Sequence, residues 1–186
     1  MTHEKRIPLL KDHHTHPSLY ASLSKSLDLR TVRKKERALE LIRSNKAPVT
    51  VVFGWNNSLY TFAEQELESL KPVLICNVSL HSFLMNTPAK ERFANDYPEI
   101  VAHIEDPDWV ETNLPEIFKF IVNIQSGSAD QVAAFNEYLN RQEIWYAEEM
   151  LLPNTAVIDN HHRFYKSRTS VTKSSRTWVT LFMVTH

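Results

Sequence analysis

Ile7-Pro8-Leu9-Leu10-Lys11-Asp12-His13-His14-Thr15-His16-Pro17 is a short apolar run that stops at a cluster of imidazoles and one carboxylate. The apolar start reads as a strand and the polar end as a loop beyond it, with Pro17 ending the ladder because it has no N–H to donate. Side chains two apart on a strand project to the same side, so His14 and His16 can converge on one cation. Asp12 shares their parity and His13 points the other way. Neutral imidazole nitrogens suit zinc, iron, nickel and cobalt, and a nearby carboxylate can orient a ligating ring or balance charge. Two histidines do not complete a site, since a catalytic zinc ordinarily has three protein ligands and a water. From the residues alone two readings stand: a half-site for a divalent metal, or solvated loop histidines.

Working outward, Val32, Leu39 and Ile42 recur at helical spacing among charged residues and predict an amphipathic helix over 31–45. Pro48 introduces Val49-Thr50-Val51-Val52-Phe53, a strand by its β-branched content. Thr61 with Glu64 fits a capping box for a helix running to about Leu70, and Pro72 precedes a buried-type strand ending near Val78. The order strand, helix, strand, helix, strand is that of an α/β protein. Ile117, Phe118, Ile121 and Ile124 mark a packing helix over 115–125, and Ser128 with Gln131 caps another that carries Val132, Phe135 and Leu139. Ile144-Trp145-Tyr146-Ala147-Glu148 reads as a further strand, and the short run Glu149-Met150-Leu151-Leu152 after it stops at Pro153.

Composition narrows the function classes. With 186 residues, 42% hydrophobic and 23% charged, the chain can bury a core as one domain. Its net charge of -1 gives no global attraction to nucleic acid or to a lipid surface, so neither is expected as a partner and a small-molecule substrate is. Only Gly54 and Gly127 occur, which excludes glycine-rich phosphate loops. The single cysteine, Cys76, lies in an apolar strand and reads as a core thiol. No apolar stretch reaches the length of a membrane span and no signal-type run comes after the charged start, so a cytoplasmic location is expected. Five of the 21 basic residues and none of the 22 acidic ones fall in Asn160–His186, which makes that segment +5 and leaves -6 for residues 1–159. Such a break predicts a domain over 1–159 and an atypical basic, Ser/Thr-rich tail over 160–186. Within the tail, Trp178 to Val184 is apolar and β-prone enough to add to a sheet edge or drive self-association.

The strand with Asp12, His14, Thr15, His16 and Pro17 resembles the first barrel strand of the amidohydrolase superfamily, where an Asp-x-His-Thr-His-Pro pattern supplies two metal ligands. Val52-Phe53-Gly54-Trp55-Asn56 resembles the Gly-Trp-Asp or Gly-Trp-Asn segment of the amidohydrolase 3 (exoenzyme-regulatory-type) branch. Pro72 to Asn86 is similar to the same branch's pattern of strand, small residue, His, aromatic and Asn, with His81 at the histidine. Three ordered motifs are more specific than one. The resemblance implies a (β/α)8 barrel, a TIM barrel with chemistry at the carboxyl ends of its strands. It implies His14 and His16 as ligands of a divalent metal, zinc by donor type, with Asp12 beside them. Trp55 and His81 become substrate-pocket candidates, and the expected reaction is hydrolysis of a non-peptide amide-type C–N bond.

The family's later motifs, a carboxylated Lys or a Glu, two further His and a proton-shuttling Asp, have no match here. Glu148 and Glu149 end what looks like the second barrel strand. His161 and His162 come after no barrel-type strand. The expectation is therefore a partial, incomplete barrel with a helical insertion, from a truncated and inactive or weakly active hydrolase. The alternatives are a non-catalytic metal-binding remnant and a small α/β interaction protein.

Overall fold

Thr50–Trp55 and Val73–Asn77 hold almost nothing but apolar residues, as strands covered on both faces require, and nearly every position in them is buried. They form the parallel centre of a mixed sheet. The computed structural model describes residues 10–125, 129–149 and 178–181. Among these are seven strands and seven helices: β1 Leu10–Thr15, α1 Pro17–Leu23, β2 Leu27–Asp28, α2 Lys35–Ser44, β3 Thr50–Trp55, α3 Glu64–Glu68, β4 Val73–Asn77, β5 Phe83–Met85, α4 Thr87–Phe93, α5 Pro98–His103, α6 Pro107–Gln125, α7 Ala129–Arg141, β6 Ile144–Glu149 and β7 Trp178–Leu181. The fold is mixed α/β. It divides into two compact units, bounded as Met1–Ser24 with Val122–His186 and as Lys25–Ile121.

In the second unit the sheet order is β2-β3-β4-β5, with β2, β3 and β4 parallel and β5 returning antiparallel. The segment between the first strand and the Ile144 strand carries the helices expected of a helical insertion and also a four-stranded sheet of its own. Helix α2 spans ten residues and starts later than the predicted 31–45, burying Ala38, Leu39 and Ile42 against Leu29, Val52, Trp55, Leu67, Val73 and Ile75. The capping box at Thr61 and Glu64 is not the one used. The Ala63 N–H donates to Glu66 Oε2 (2.7 Å), so the helix starts two residues later and Glu66 performs the capping. Glu66 Oε1 also meets Lys35 Nζ at 2.9 Å.

Asn86 fastens this unit together. It caps α4 by accepting the Ala89 N–H (3.1 Å), and the same Oδ1 accepts the Val73 N–H (3.0 Å). Its Nδ2 donates to the carbonyls of Leu67, Leu70 and Lys71, which closes the end of α3 onto the start of β4. Helix α6 is interrupted at Asn113 (φ -115°), two residues before Pro115, whose ring cannot continue an unbroken helix. The Asn113 side chain donates to the Trp109 carbonyl (2.8 Å), a group the break would leave exposed. Phe120 sits edge-on to Phe93 (5.2 Å) and beside Tyr97 (4.7 Å), so α6 packs on α4 and the segment before α5 through aromatic rings. Cys76 is fully buried, as expected, and burial pushes its thiol far above the usual range.

In the first unit the sheet order is β1-β6-β7, all parallel. The strand predicted at Ile144 pairs directly with β1. Trp178–Leu181 adds to the β6 edge in register from Tyr146 to Glu149. All of Met1–Leu9, the short run Met150–Leu152 and the rest of Asn160–His186 lie outside the described residues, as does Ser128. Pro17 does not lead into a loop: it opens α1, where a missing N–H costs nothing and the fixed φ suits the first turn. Leu19, Ala21 and Leu23 are buried, and Tyr20 stacks on Phe135 of α7 with ring centroids 6.0 Å apart. No helix among the described residues is long and apolar enough to cross a membrane.

Candidate functional site

The predicted site residues divide between the two units. Asp12, His14 and His16 lie in the first, on and just beyond β1, while Trp55 and His81 lie in the second.

Strand β1 carries His14 one residue before its end, and His16 is the N-cap residue of α1 (φ -125°, ψ 70°), its carbonyl accepting the Tyr20 N–H at 3.0 Å. The Asp12 and His16 side chains are both half-buried, and Nδ1 of His16 is shielded from solvent. The pairing of β1 with β6 slips between Asp12 and Thr15, which align with Ala147 and Glu149. Three residue steps of β1 thus span two of β6, a bulge at His13 and His14. The regular ladder between β1 and β6 is interrupted there, as a bulge locally does. As a donor set, two imidazoles and one carboxylate within five residues fit a zinc-like cation in kind, without filling the usual complement of protein ligands. Among the described residues no group of three or more His, Cys, Asp or Glu side chains comes together as a metal cage.

Each residue of Gly54-Trp55-Asn56 has a structural task. Gly54 takes φ +86°, and a Cβ there would run into Arg30 Cγ, so the backbone both needs a left-handed residue and has no room for a side chain. Trp55 is 4% exposed, packs against Phe62 (5.7 Å) and donates its indole N–H to the Tyr60 carbonyl (2.9 Å). Its indole is thereby a core group with its one donor used. Asn56 accepts the Ser58 N–H through Oδ1 (3.0 Å) and turns the chain.

His81 stands in the loop past the carboxyl end of β4. Buried Asn77, the last residue of β4, organises that loop: its Oδ1 accepts the N–H groups of His81 (3.0 Å) and Ser82 (3.2 Å) and the Ser79 hydroxyl (3.1 Å). The Val78 N–H donates to the Trp55 carbonyl (2.8 Å), joining the carboxyl ends of β3 and β4. The ring of His81 is half exposed, and its Nδ1 lies 2.7 Å from Glu111 Oε1 on α6. Neither Asn77 nor Glu111 was legible as a site residue, because an Asn at a strand end and one Glu on a helix are ordinary in sequence.

A shallow groove of about 460 Å3 lies elsewhere in the second unit, between the end of β2 and the start of α2, and is bordered by Asp28, Arg33, Lys34 and Arg37. None of the predicted site residues borders it. The Arg30 guanidinium beside Asp28 (2.7 Å) holds that carboxyl below its usual range.

No protein-family profile matches the sequence, and no curated protein matches it. Two solved structures share its fold. An uncharacterized metal-dependent hydrolase from Pyrococcus horikoshii OT3 superposes with a TM-score of 0.61 at 18% identity, over 94% of this chain and 36% of that one. An uncharacterized metal-dependent hydrolase from Pyrococcus furiosus gives 0.57 at 15% identity, over 94% and 37%. At these identities the likeness is one of fold, and the chain spans little more than a third of either structure.

Proposed function

We propose that the chain is the His-Thr-His-bearing portion of a metal-dependent amidohydrolase of the amidohydrolase 3 type, acting on a small molecule with an amide-type C–N bond. The observation that carries this reading is the position of His14-Thr15-His16 at the carboxyl end of β1, a strand with a parallel neighbour in β6. The fold shared with metal-dependent hydrolases supports it. In a barrel of this kind β1, β6 and β7 would be three adjacent staves, and the second unit a large insertion after the first. His14 and His16 would hold the metal and Asp12 would orient a ring or balance charge, while His81 would contact substrate in the pocket. A bound divalent metal, zinc by donor type, would supply Lewis acidity toward a carbonyl oxygen and a water nucleophile at neutral pH. Cytoplasmic location and a tendency to self-associate through open sheet edges belong to the same reading.

Metal titration tests it. The chain should bind zinc weakly, because only two imidazoles are assigned, and His14→Ala with His16→Ala should abolish that binding with the helical circular dichroism unchanged. Equal zinc uptake by parent and double variant would sink the assignment. Turnover of acylated amines or cyclic amides by the metal-loaded chain would then separate a hydrolase from a metal-binding remnant. The rival reading, a small α/β interaction protein whose histidines are incidental, predicts no metal binding by the parent chain at all.

A further inference from the structure

We infer that Glu111 is a positioning residue for His81, fixing the imidazole as the tautomer that carries its proton on Nδ1 and presents the Nε2 lone pair to an N–H or O–H donor of a bound small molecule. The inference rests on the reading of His81 as a pocket residue, and it adds a partner from a different part of the chain.

Glu111 Oε1 lies 2.7 Å from His81 Nδ1. An ionised carboxylate only accepts, so a hydrogen bond of this length places the ring proton on Nδ1 and, in the neutral imidazole, leaves Nε2 as the acceptor. A hydrogen bond between two half-exposed side chains contributes little to stability by itself, which makes fold maintenance a poor account of this contact. The backbone supporting the ring is, by contrast, over-determined. Asn77 Oδ1 takes three hydrogen bonds from the loop, the Asn77 N–H donates to the Ser82 carbonyl (2.9 Å), and Leu80 between them is held at φ 62°. A left-handed leucine is strained, and such strain persists where the surroundings enforce it, as they do at ligand-binding loops. The loop also lies past the carboxyl end of a parallel strand, the side on which open α/β sheets take their ligands. Asn77 therefore fixes where His81 stands, and Glu111 fixes which nitrogen is available.

The test is long-range proton–nitrogen NMR of the full chain with ¹⁵N-labelled histidine, at a pH where the imidazole is neutral. His81 should show a protonated Nδ1 and an acceptor-type Nε2. Glu111→Ala should move the population toward the Nε2–H form that a free imidazole favours, and Glu111→Gln, whose amide oxygen still accepts, should keep the parent signature. Diethyl pyrocarbonate, which acylates a ring nitrogen through its lone pair, should modify His81 at Nε2 at least threefold more slowly in Glu111→Ala, with His103 as the internal reference. A parent His81 already in the Nε2–H form, a tautomer indifferent to Glu111→Ala, or an unreactive Nε2 would each overturn the inference. Neither readout needs metal or turnover, so the hydrolase reading can fail while this one stands, and the reverse.

Discussion

Both units are built on parallel strands, but they secure those strands by different means. In the second unit the ends of β4 are closed by buried amide side chains: Asn86 receives the Val73 N–H at one end and Asn77 gathers the succeeding loop at the other. In the first unit the central pairing joins Leu10 to Ile144, so the whole second unit lies inside the loop that this pairing closes, and the register slips twice within β1. Loop-closure entropy grows only slowly with length, so the pairing is tolerated, but it is made by ladder contacts between distant segments. The difference teaches that the region bearing the candidate metal ligands depends on long-range closure, whereas the region bearing His81 is fixed by its own short-range polar contacts.

Asn86→Ala strikes that contrast hardest. It removes an acceptor shared by two N–H groups and a donor serving three carbonyls at a position 1% exposed. Leaving buried partners unsatisfied costs about 1–3 kcal/mol per group, and with partial relaxation the expected loss is about 3–5 kcal/mol by urea denaturation. Hydrogen exchange should show protection falling first at residues 64–93. Loss confined instead to β1 and β6 would break the comparison.

Gly54→Ala comes next. The substituted residue would have to keep φ +86° and push Arg30 away, for an expected cost of about 2–3 kcal/mol. A change below about 0.5 kcal/mol, the range of ordinary surface substitutions, would mean that the β2–β3 end is soft rather than fixed.

How much of this was legible depends on where each signal resides. Strands β3 and β4 were readable because burial on both faces forces a continuous apolar run, and Cys76 could be placed in the core from its position in one. The strand at Ile144 was readable from its own apolar and aromatic run. Helix α1 was missed because Pro17 serves equally as a strand terminator and as a first helical residue, and only the burial of Leu19, Ala21 and Leu23 decides between them. The sheet of the insertion was under-read because pairing partners, unlike periodicity, leave no local mark: the β3 and β4 patterns fit β1 as a neighbour just as well. The candidate metal half-site is a local pattern, so Asp12, His14 and His16 could be named as candidates. The bulge between Asp12 and Thr15 depends on β6, more than a hundred residues further along the sequence, and could not be.

Cys76 offers a smaller, pH-dependent reading of how tightly the second unit is closed. Because burial raises its folded pKa, the unfolded chain gives up the thiol proton first as pH rises past the ordinary value of about 8.5. The sign is then fixed: stability is full below that pH and falls above it, by at most about 1.4 kcal/mol per pH unit. Alkylation by iodoacetamide at pH 8 should proceed only through opening, and should quicken in Asn86→Ala by the factor that the equilibrium destabilisation sets. Fast labelling of the unperturbed chain would show that β4 is not sealed.

The smallest effect is expected at the edge strand, where the second unit should look least like its own centre. Asp28 ends β2 and accepts from Arg30 through both carboxylate oxygens, at 2.7 to 3.1 Å, yet its side chain is 49% exposed and that of Arg30 is 59%. The arginine's hydrogen bonds lower the carboxyl's pKa in the folded protein, so the contribution is present above the unfolded value near 3.9 and is lost as pH falls through the lowered one. Solvent screening of a pair this exposed limits the contribution to less than about 1 kcal/mol, so Asp28→Asn should cost no more than that at pH 7 and progressively less as pH falls through the lowered pKa. Salt should erase most of the difference as well, since water and ions already reach both partners. A cost of several kcal/mol at pH 7 that survives high salt would show that Arg30, wedged against Gly54 and lying 5.5 Å from the Phe53 ring centroid, depends on Asp28 to hold the β2–β3 end in place. The edge would then be as firmly fixed as the sheet's buried centre.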